Sequence, residues 1–362
     1  MDPMRFITEP MLDGAFSPIL NGLDRVLRSR GHERIKEAAH EDLDLVIHPV
    51  INDRPKPFRR RGRGTFVVSV AIRPHEEATV EGLYPLLVRT LANLLIVVTR
   101  EADPIEVHLV TPEQGHVVVK GNTYDDAFFD ALYKRIEPLA TSSLVIENIF
   151  EPDLEPELWN GDAHTASIGR AGRFLDELQL LPAPFPIEQI LSPRELRQLK
   201  LVYGIGGLSY GNFSSRLDNR RFWMSASGVD KSRLEVIGRD ILLVTDYVPE
   251  RKAMRLSVPP NVEPRRVSVD AIEHWLIYRE NPQVGAILHV HAWLDGAPCT
   301  EMTYPCGTYE LGRAVADIVR VAPDPVHAVV GLKNHGLTIT GTSLDEILSR
   351  VTGSLVRNVP MT

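Results

Sequence analysis

Two histidines set two apart, His289 and His291, close the apolar run Val284–Leu288, and a third, His335, follows a second β-branched run, Val326–Leu332. Side chains at i and i+2 of a β-strand point to one face, so both imidazoles of His-Val-His can converge on one ion without bending the backbone. The third ligand has to come from elsewhere, and His335 supplies it if the ends of the two runs lie side by side. Three neutral ring nitrogens with a vacant position are the donor set of a catalytic zinc or similar divalent ion, where the vacancy admits water or substrate. With 12 histidines in the chain, one His-x-His alone carries little weight, and a surface or core pair is the plain alternative. The neighbouring motifs decide between them.

These residues need a scaffold, and the chain is long enough for two. At 362 residues it can bury two independent cores. A hydrophobic content of 43%, a charged content of 24% and a net charge of -8 fit a globular protein and disfavour indiscriminate binding to nucleic acid or an anionic membrane. No run approaches the roughly 18 apolar residues of a membrane span, and Met1–Pro10 has neither signal-peptide nor transit-peptide character. The only cysteines are Cys299 and Cys306, neither in a Cys-x-x-Cys, which fits a reducing cytoplasm. Both read as small core residues rather than ligands, because three imidazoles already complete a site.

Residues 1–150 read as a separate small α+β domain. Its expected strands are Leu43–Val50, Thr65–Ile72, Leu94–Val98, Ile105–Val110 and His116–Val119, the last two joined as a hairpin across Thr111–Gly115. Helical spacing covers Val80–Thr90 and Asp125–Glu137, and a final strand, Ser143–Phe150, closes the unit. Acidic and proline-rich pieces mark 151–187 as a linker interrupted by a short helix, Arg170–Leu178. A second domain, 188–362, then opens on Ser192-Pro193-Arg194-Glu195, a capping serine, a proline at the first helical position and a glutamate three residues on. Arg54, Lys56, Arg59, Arg60, Arg61 and Arg63 crowd one loop; without aromatic platforms beyond Phe58 they read as a solvated loop, not a nucleic-acid site.

Four motifs follow one another in the second half: Gly211-Asn212-Phe213-Ser214-Ser215-Arg216, then Ser225-Ala226-Ser227-Gly228-Val229-Asp230-Lys231 with Leu234, then His289-Val290-His291, then Asn334-His335-Gly336-Leu337. Read locally, Asn212 can offer its amide to an anion or cap a turn after the glycine-rich stretch Gly204–Tyr210. Ser227-Gly228 can bring backbone N–H groups to an oxyanion or simply turn the chain. Ser268 opens an expected helix, Val269–Arg279, as its cap or as a phosphate ligand at its positive end. In this order the motifs resemble the class II aldolase/adducin family over roughly residues 190–355.

The resemblance implies an α/β/α domain with a mainly antiparallel central sheet, assembled into a homo-oligomer. It also implies His289, His291 and His335 as metal ligands, with Zn2+ the first choice, and Asn212, Ser227, Gly228 and Ser268 as the cradle for a substrate phosphate or carboxylate. The family's catalytic glutamate falls on Asp270, one methylene shorter; Glu273 could take over its role, and a first-turn residue favoured by the helix dipole is the bland reading. The tyrosine that protonates the leaving aldehyde has no clear counterpart, with Tyr304 and Tyr309 as candidates.

The implied activity is a metal-dependent lyase that cleaves or forms a carbon–carbon bond in a small hydroxy-carbonyl compound through a metal-stabilised enediolate. The same enediolate would serve dehydration, decarboxylation or epimerisation. The rival is an adducin-like scaffold without turnover, which has no reason to hold three ligands in register. A nucleotide-binding first domain gains nothing, since neither Gly-x-Gly-x-x-Gly nor a P-loop is present.

Overall fold

A computed structural model of the chain describes residues 3–11, 13–35, 43–51, 55–59, 65–99, 103–112, 115–180, 186–203 and 211–361. Arg54, Arg60, Arg61, Arg63, Glu113, Gln114, the proline-rich 181–185 and the glycine-rich 204–210 lie outside the described residues. Two units are formed, one from 1–141, 186–206 and 361–362, the other from 142–185 and 207–360.

In the first unit β1 (Arg5–Thr8), α1 (Ser17–Ser29), β2 (Glu33–Arg34), β3 (Leu45–Pro49), β4 (Phe66–Arg73), α2 (Val80–Thr90), β5 (Leu94–Thr99), β6 (Ile105–Thr111), β7 (Gly115–Gly121) and α3 (Asp126–Thr141) follow one another. Their sheet runs β2-β1-β3-β4-β5-β6-β7, parallel from β2 to β5 and antiparallel from β5 through the expected β6–β7 hairpin. The α+β expectation is therefore corrected toward α/β here: parallel neighbours need crossovers, which α1 supplies between β1 and β2 and α2 between β4 and β5. β5 is buried at all six positions, which is why it reads as an unbroken apolar run.

Next in the chain come β8 (Glu147–Glu151) and α4 (Ala163–Glu177) in the second unit, then α5 (Ile187–Ile190) and α6 (Pro193–Tyr203) back in the first. The remaining elements all belong to the second: β9 (Asn212–Arg216), β10 (Phe222–Ser225), β11 (Ile241–Val248), β12 (Ala253–Ser257), α7 (Ala271–Glu280), β13 (Ala286–Val290), α8 (Tyr309–Val321), β14 (Val329–Leu332), β15 (Gly336–Gly341) and α9 (Leu344–Val351). The second sheet runs β14-β15-β13-β9-β10-β11-β12-β8, antiparallel except where β8 lies parallel to β12.

Three boundary expectations give way to long-range pairing. The strand expected over Ser143–Phe150 does not close the first sheet; β8 instead forms the outer edge of the second. The stretch 151–187 is not a bare linker, because α4 starts in an Asp162/Thr165 capping box and buries Ile168, Ala171 and Leu175 in the second core. The Ser192/Glu195 start signature does nucleate α6, with Ser192 N–H donating to Glu195 at 2.8 Å, yet that helix docks in the first unit, where Arg89 Nε meets Glu195 at 2.6 Å. Proline-rich composition marks turns, and it says nothing of which sheet the flanking elements join.

Alternation along β9 shows how the second sheet is covered. Asn212, Ser214 and Arg216 meet Asp270, His274 and Tyr278 around α7, whereas Ser215 meets His164 on α4 and Phe213 lies against Gly172 of α4. Residues two apart share a face, so α7 and α4 lie on opposite faces and the sheet is the middle of three layers. The α4 side is apolar, with Phe213 and Trp223 fully buried. The α7 side carries polar groups that must be satisfied internally. Arg216 is central there: Nε donates to Val284 O at 2.7 Å, Nη2 donates to Tyr278 O at 2.8 Å and to Asn281 O at 3.0 Å, and the guanidinium covers the Tyr278 ring at 4.5 Å. It thus closes the carbonyl end of α7. Replacing Arg216 with Met should lower stability by about 2–3 kcal/mol, since these are bonds from a charged donor; an unchanged urea midpoint would refute this anchoring role.

Candidate metal centre

β13 and β15 bring the histidines together. His289 lies opposite Thr338 of β15 on one side and Asn212 of β9 on the other, so all three point to the α7 face. His291 follows β13 directly, and His335 is the last residue of the turn between β14 and β15. That turn needs Asn334 in the left-handed region, at φ 60°, a conformation asparagine tolerates better than most residues. The flanking glycines are dictated by backbone proximity. A Cβ on Gly336 would stand 2.3 Å from Val290 O, and one on Gly211 would stand 2.6 Å from His289 O. Both motif glycines therefore let neighbouring strands close against the histidine-bearing one.

The ring centroids of His289, His291 and His335 lie 4.7 to 5.1 Å apart, and their ligand nitrogens fall within 4.8 Å of one another. His335 Nε2 and His291 Nε2 approach to 3.1 Å. His289 Nδ1 lies 3.0 Å from Leu337 O and must donate to it, which leaves Nε2 as the lone-pair nitrogen. That Nε2 is buried and has no hydrogen-bond partner among the described residues. A buried acceptor facing two other imidazoles is what a cation fits, and the donor set suits zinc or a similar divalent ion. Burial lowers all three rings from the usual histidine range: His289 is depressed, His291 lies well below it with His335 adding to the effect, and His335 is pushed down to about 3. They are neutral, as ligands must be.

Asp270 stands beside this group, 5% exposed. It occupies the position before α7, yet its carboxylate does not cap the helix. Instead Oδ2 accepts from Asn212 Nδ2 at 2.8 Å and Oδ1 accepts from the Gly307 N–H at 3.1 Å. Asn212 therefore spends its amide N–H on Asp270, and its own Oδ1 is the buried atom without a partner among the described residues. Ser268 does not open the helix as expected, because α7 begins only at Ala271. Its N–H donates to Ser225 O at 3.1 Å, while the Ser227 N–H donates to Arg266 O at 2.8 Å. The two serine segments thus lie side by side across the Ala226–Val267 bridge, with Gly228 exposed at φ 66° and open space where its side chain would be. Tyr309 stacks on Tyr247 at 6.2 Å, and Tyr304 packs against the second core.

Three further groups were not assigned a role from sequence. Lys231 is buried, and burial pushes its amine down to about 8 against the opposing pull of Asp270 and Asp230. Glu273, offered above only as a substitute for Asp270, is 1% exposed; Thr338 Oγ1 donates to it at 2.5 Å, and burial next to the Asp270 charge raises it to about 8. Cys306 Sγ lies 3.4 Å from His335 Nε2. The signal for Lys231 lay in the second motif, and the closeness of Cys306 to the histidine pair in sequence suggests a ligand, a reading set aside because three imidazoles already complete a site.

Residues 195–294 match the Class II Aldolase and Adducin N-terminal domain. Over 81 residues, 22% of this chain and 32% of the relative, the sequence is 36% identical to a methylthioribulose-1-phosphate dehydratase of Stenotrophomonas maltophilia (strain K279a). Over 95 residues, 26% of this chain and 40% of the relative, it is 33% identical to the protein of that name in Pseudomonas aeruginosa (strain LESB58). The chain thus spans 32 to 40% of the length of these curated relatives. Among solved structures it is similar to an L-fuculose 1-phosphate aldolase, at 17% identity over 53% of this chain and 81% of that one with a TM-score of 0.35. It is also similar to the N-terminal class II aldolase domain of a conserved protein from Thermoplasma acidophilum, at 14% identity over 52% and 89% with a TM-score of 0.34.

The buried rings set a pH dependence. His274, His289, His291 and His335 resist protonation in the folded chain, whereas in the unfolded chain each titrates near 6.5. Below that pH the unfolded state binds more protons, so stability falls with pH by up to about 1.4 kcal/mol per unit for each ring. Glu273, raised from 4.5 to about 8, works in the opposite sense but is one group against four. Urea melts of chelator-stripped protein should therefore show a steep loss of stability from pH 6.5 to 5, and a flat or rising curve would exclude the neutral, buried state of these rings.

Proposed function

We propose that this chain is a metal-dependent lyase acting on a small phosphorylated hydroxy-carbonyl compound. His289, His291 and His335 would hold the divalent ion, with zinc the first choice, and the observation that carries the reading is the buried, unpartnered His289 Nε2 facing two other neutral imidazoles. When bound, such an ion acts as a Lewis acid that polarises a carbonyl and stabilises negative charge developing on its oxygen.

The rest falls to the chain's own side chains. Asp270, its oxygens fixed by Asn212 and Gly307, is the base proposed to take the proton from the carbon next to the carbonyl. Asn212 acts by orienting that carboxylate. Ser227, Gly228 and Ser268 are proposed to receive the phosphate, with the open space at Gly228 letting an anion approach the backbone. Lys231, a buried cation, offsets the charge that Asp270 brings into the site.

Two outcomes are open: removal of that proton expels a neighbouring hydroxyl as water, or a carbon–carbon bond breaks as the β-hydroxyl gives up its proton and Asp270, protonated, returns a proton to the carbon next to the carbonyl. The names of the relatives matched over 81 and 95 residues favour dehydration, and carbon–carbon cleavage is the second reading. A panel of phosphorylated ketoses that includes methylthioribulose 1-phosphate separates them, because dehydration releases no aldehyde and cleavage does. Silence across the panel with the metal-loaded protein would count against both.

Against an adducin-like scaffold, purified protein should carry about one divalent ion per chain, and His289→Ala should abolish it with a weakening of affinity of at least about a hundredfold; a metal-free wild type would favour the scaffold. Asp270→Asn keeps the hydrogen bond from Asn212 but removes the base, and should lower kcat by about 10²–10⁴-fold with metal content unchanged. Equal turnover of Asp270→Asn and wild type would remove Asp270 from the chemistry.

A further inference from the structure

The segments that carry Ser227 and Ser268 cross as an antiparallel bridge at Ala226–Val267. Ser227 N–H donates to Arg266 O at 2.8 Å and Ser268 N–H to Ser225 O at 3.1 Å, the pattern that sets Ser227 opposite Arg266 and Ser225 opposite Ser268. Opposed residues of an antiparallel ladder share a face, with Cα atoms about 5.5 Å apart, so the Arg266 stem starts beside Ser227 and runs on the same side. Arg266 and Gly228 are exposed, and Ser227 is half-buried.

Ser227 and Ser268 commit their N–H groups to this bridge, but their hydroxyls and the N–H of Gly228 have no hydrogen-bond partner among the described residues. Ser268 is 6% exposed, and a hydroxyl at that depth needs a ligand or a water. What these groups lack is charge. Asn212 gives its amide N–H to Asp270, and Lys231 is buried, held against the Asp270 and Asp230 charges, whereas Gly228 opens to solvent. A phosphate monoester brings about two negative charges at pH 7, which hydroxyls and a backbone N–H leave uncompensated. Arg266 enters no ion pair among the described residues, and its planar fork matches two phosphate oxygens at once. Arg265 is exposed too, but alternation along the segment turns it to the other side.

We propose that Arg266 is the specificity-determining cation of the anion site, taking a phosphate monoester by two parallel N–H···O bonds while Ser227, Gly228 and Ser268 hold its remaining oxygens. The inference rests on the reading of those three residues as the phosphate cradle. It adds that the site selects a dianionic phosphate over a carboxylate or a neutral hydroxyl at the same place.

Propyl phosphate tests this, because it carries the anion without the carbonyl and hydroxyl of a chelating substrate. Calorimetry on the full chain, as purified and again after chelation of its metal, should show propyl phosphate bound by wild type in both states and butyrate bound at least about tenfold more weakly. Arg266→Met should weaken propyl phosphate by about tenfold or more, and Arg266→Lys, which keeps the charge without the fork, should fall between. Arg265→Met should stay within about twofold of wild type. Equal affinity of Arg266→Met and wild type would overturn the Arg266 assignment and leave the cradle standing. Equal weakening by Arg265→Met would do the same, since a general positive potential would then account for both. Absence of binding by wild type, or binding that vanishes with the metal, would overturn the cradle and the assignment together.

Discussion

Burial of neutral imidazole is the constraint on which the second unit turns. A histidine taken out of water has to stay unprotonated and has to place two ring nitrogens, one donor and one acceptor. His289 meets the first demand through Leu337 O and leaves the second facing His291 and His335. The rest of the α7 face is arranged around the same accounting. Ser214 meets His274 Nδ1 at 2.7 Å and Tyr278 OH at 2.8 Å, Thr338 donates to Glu273, and Arg216 covers the last carbonyls of α7. The opposite face of the sheet, built on Phe213 and Trp223, carries the Ser215–His164 pair and the Trp223 Nε1 bond to Asp162 and otherwise supplies the apolar burial that offsets the polar layer.

Local chemistry was legible in the sequence wherever one short stretch decided it. The His-x-His pair, the β6–β7 hairpin, the α2 span and the Ser192/Glu195 capping box all depend on residues a few positions apart. Partner choice was not legible. β8 reads as a strand in either unit, and only its ladder with β12, about a hundred residues on, decides the matter. The α6 signature is right about the helix and silent about where its buried face goes.

In the site, Ser268 failed as a cap for a specific reason. The chain runs on as a strand bridge at Val267 before α7 begins, so the serine N–H is already committed to Ser225. Cys306 reads from sequence as a small core residue, and its approach to His335 is made by the return of the segment between β13 and α8, 29 residues before the third histidine. Asp270, where the family pattern has glutamate, is the opposite case. Its type looked like a loss of reach, yet the hydrogen bonds from Asn212 and Gly307 hold it in one orientation, so what the shorter side chain gives up in length it regains in fixity.

The edge position of β8 bears on how this molecule can be divided. A fragment cut at the compositional boundary near residue 188 would discard both β8 and α4, stripping the outer rim from β12 and uncovering the apolar side of the sheet at Phe213 and Trp223. Bare amides along β12 would then offer a template for intermolecular strand pairing, and the excised piece would be prone to aggregation. The family-like stretch is thus shorter than the smallest piece of the chain that can stand alone.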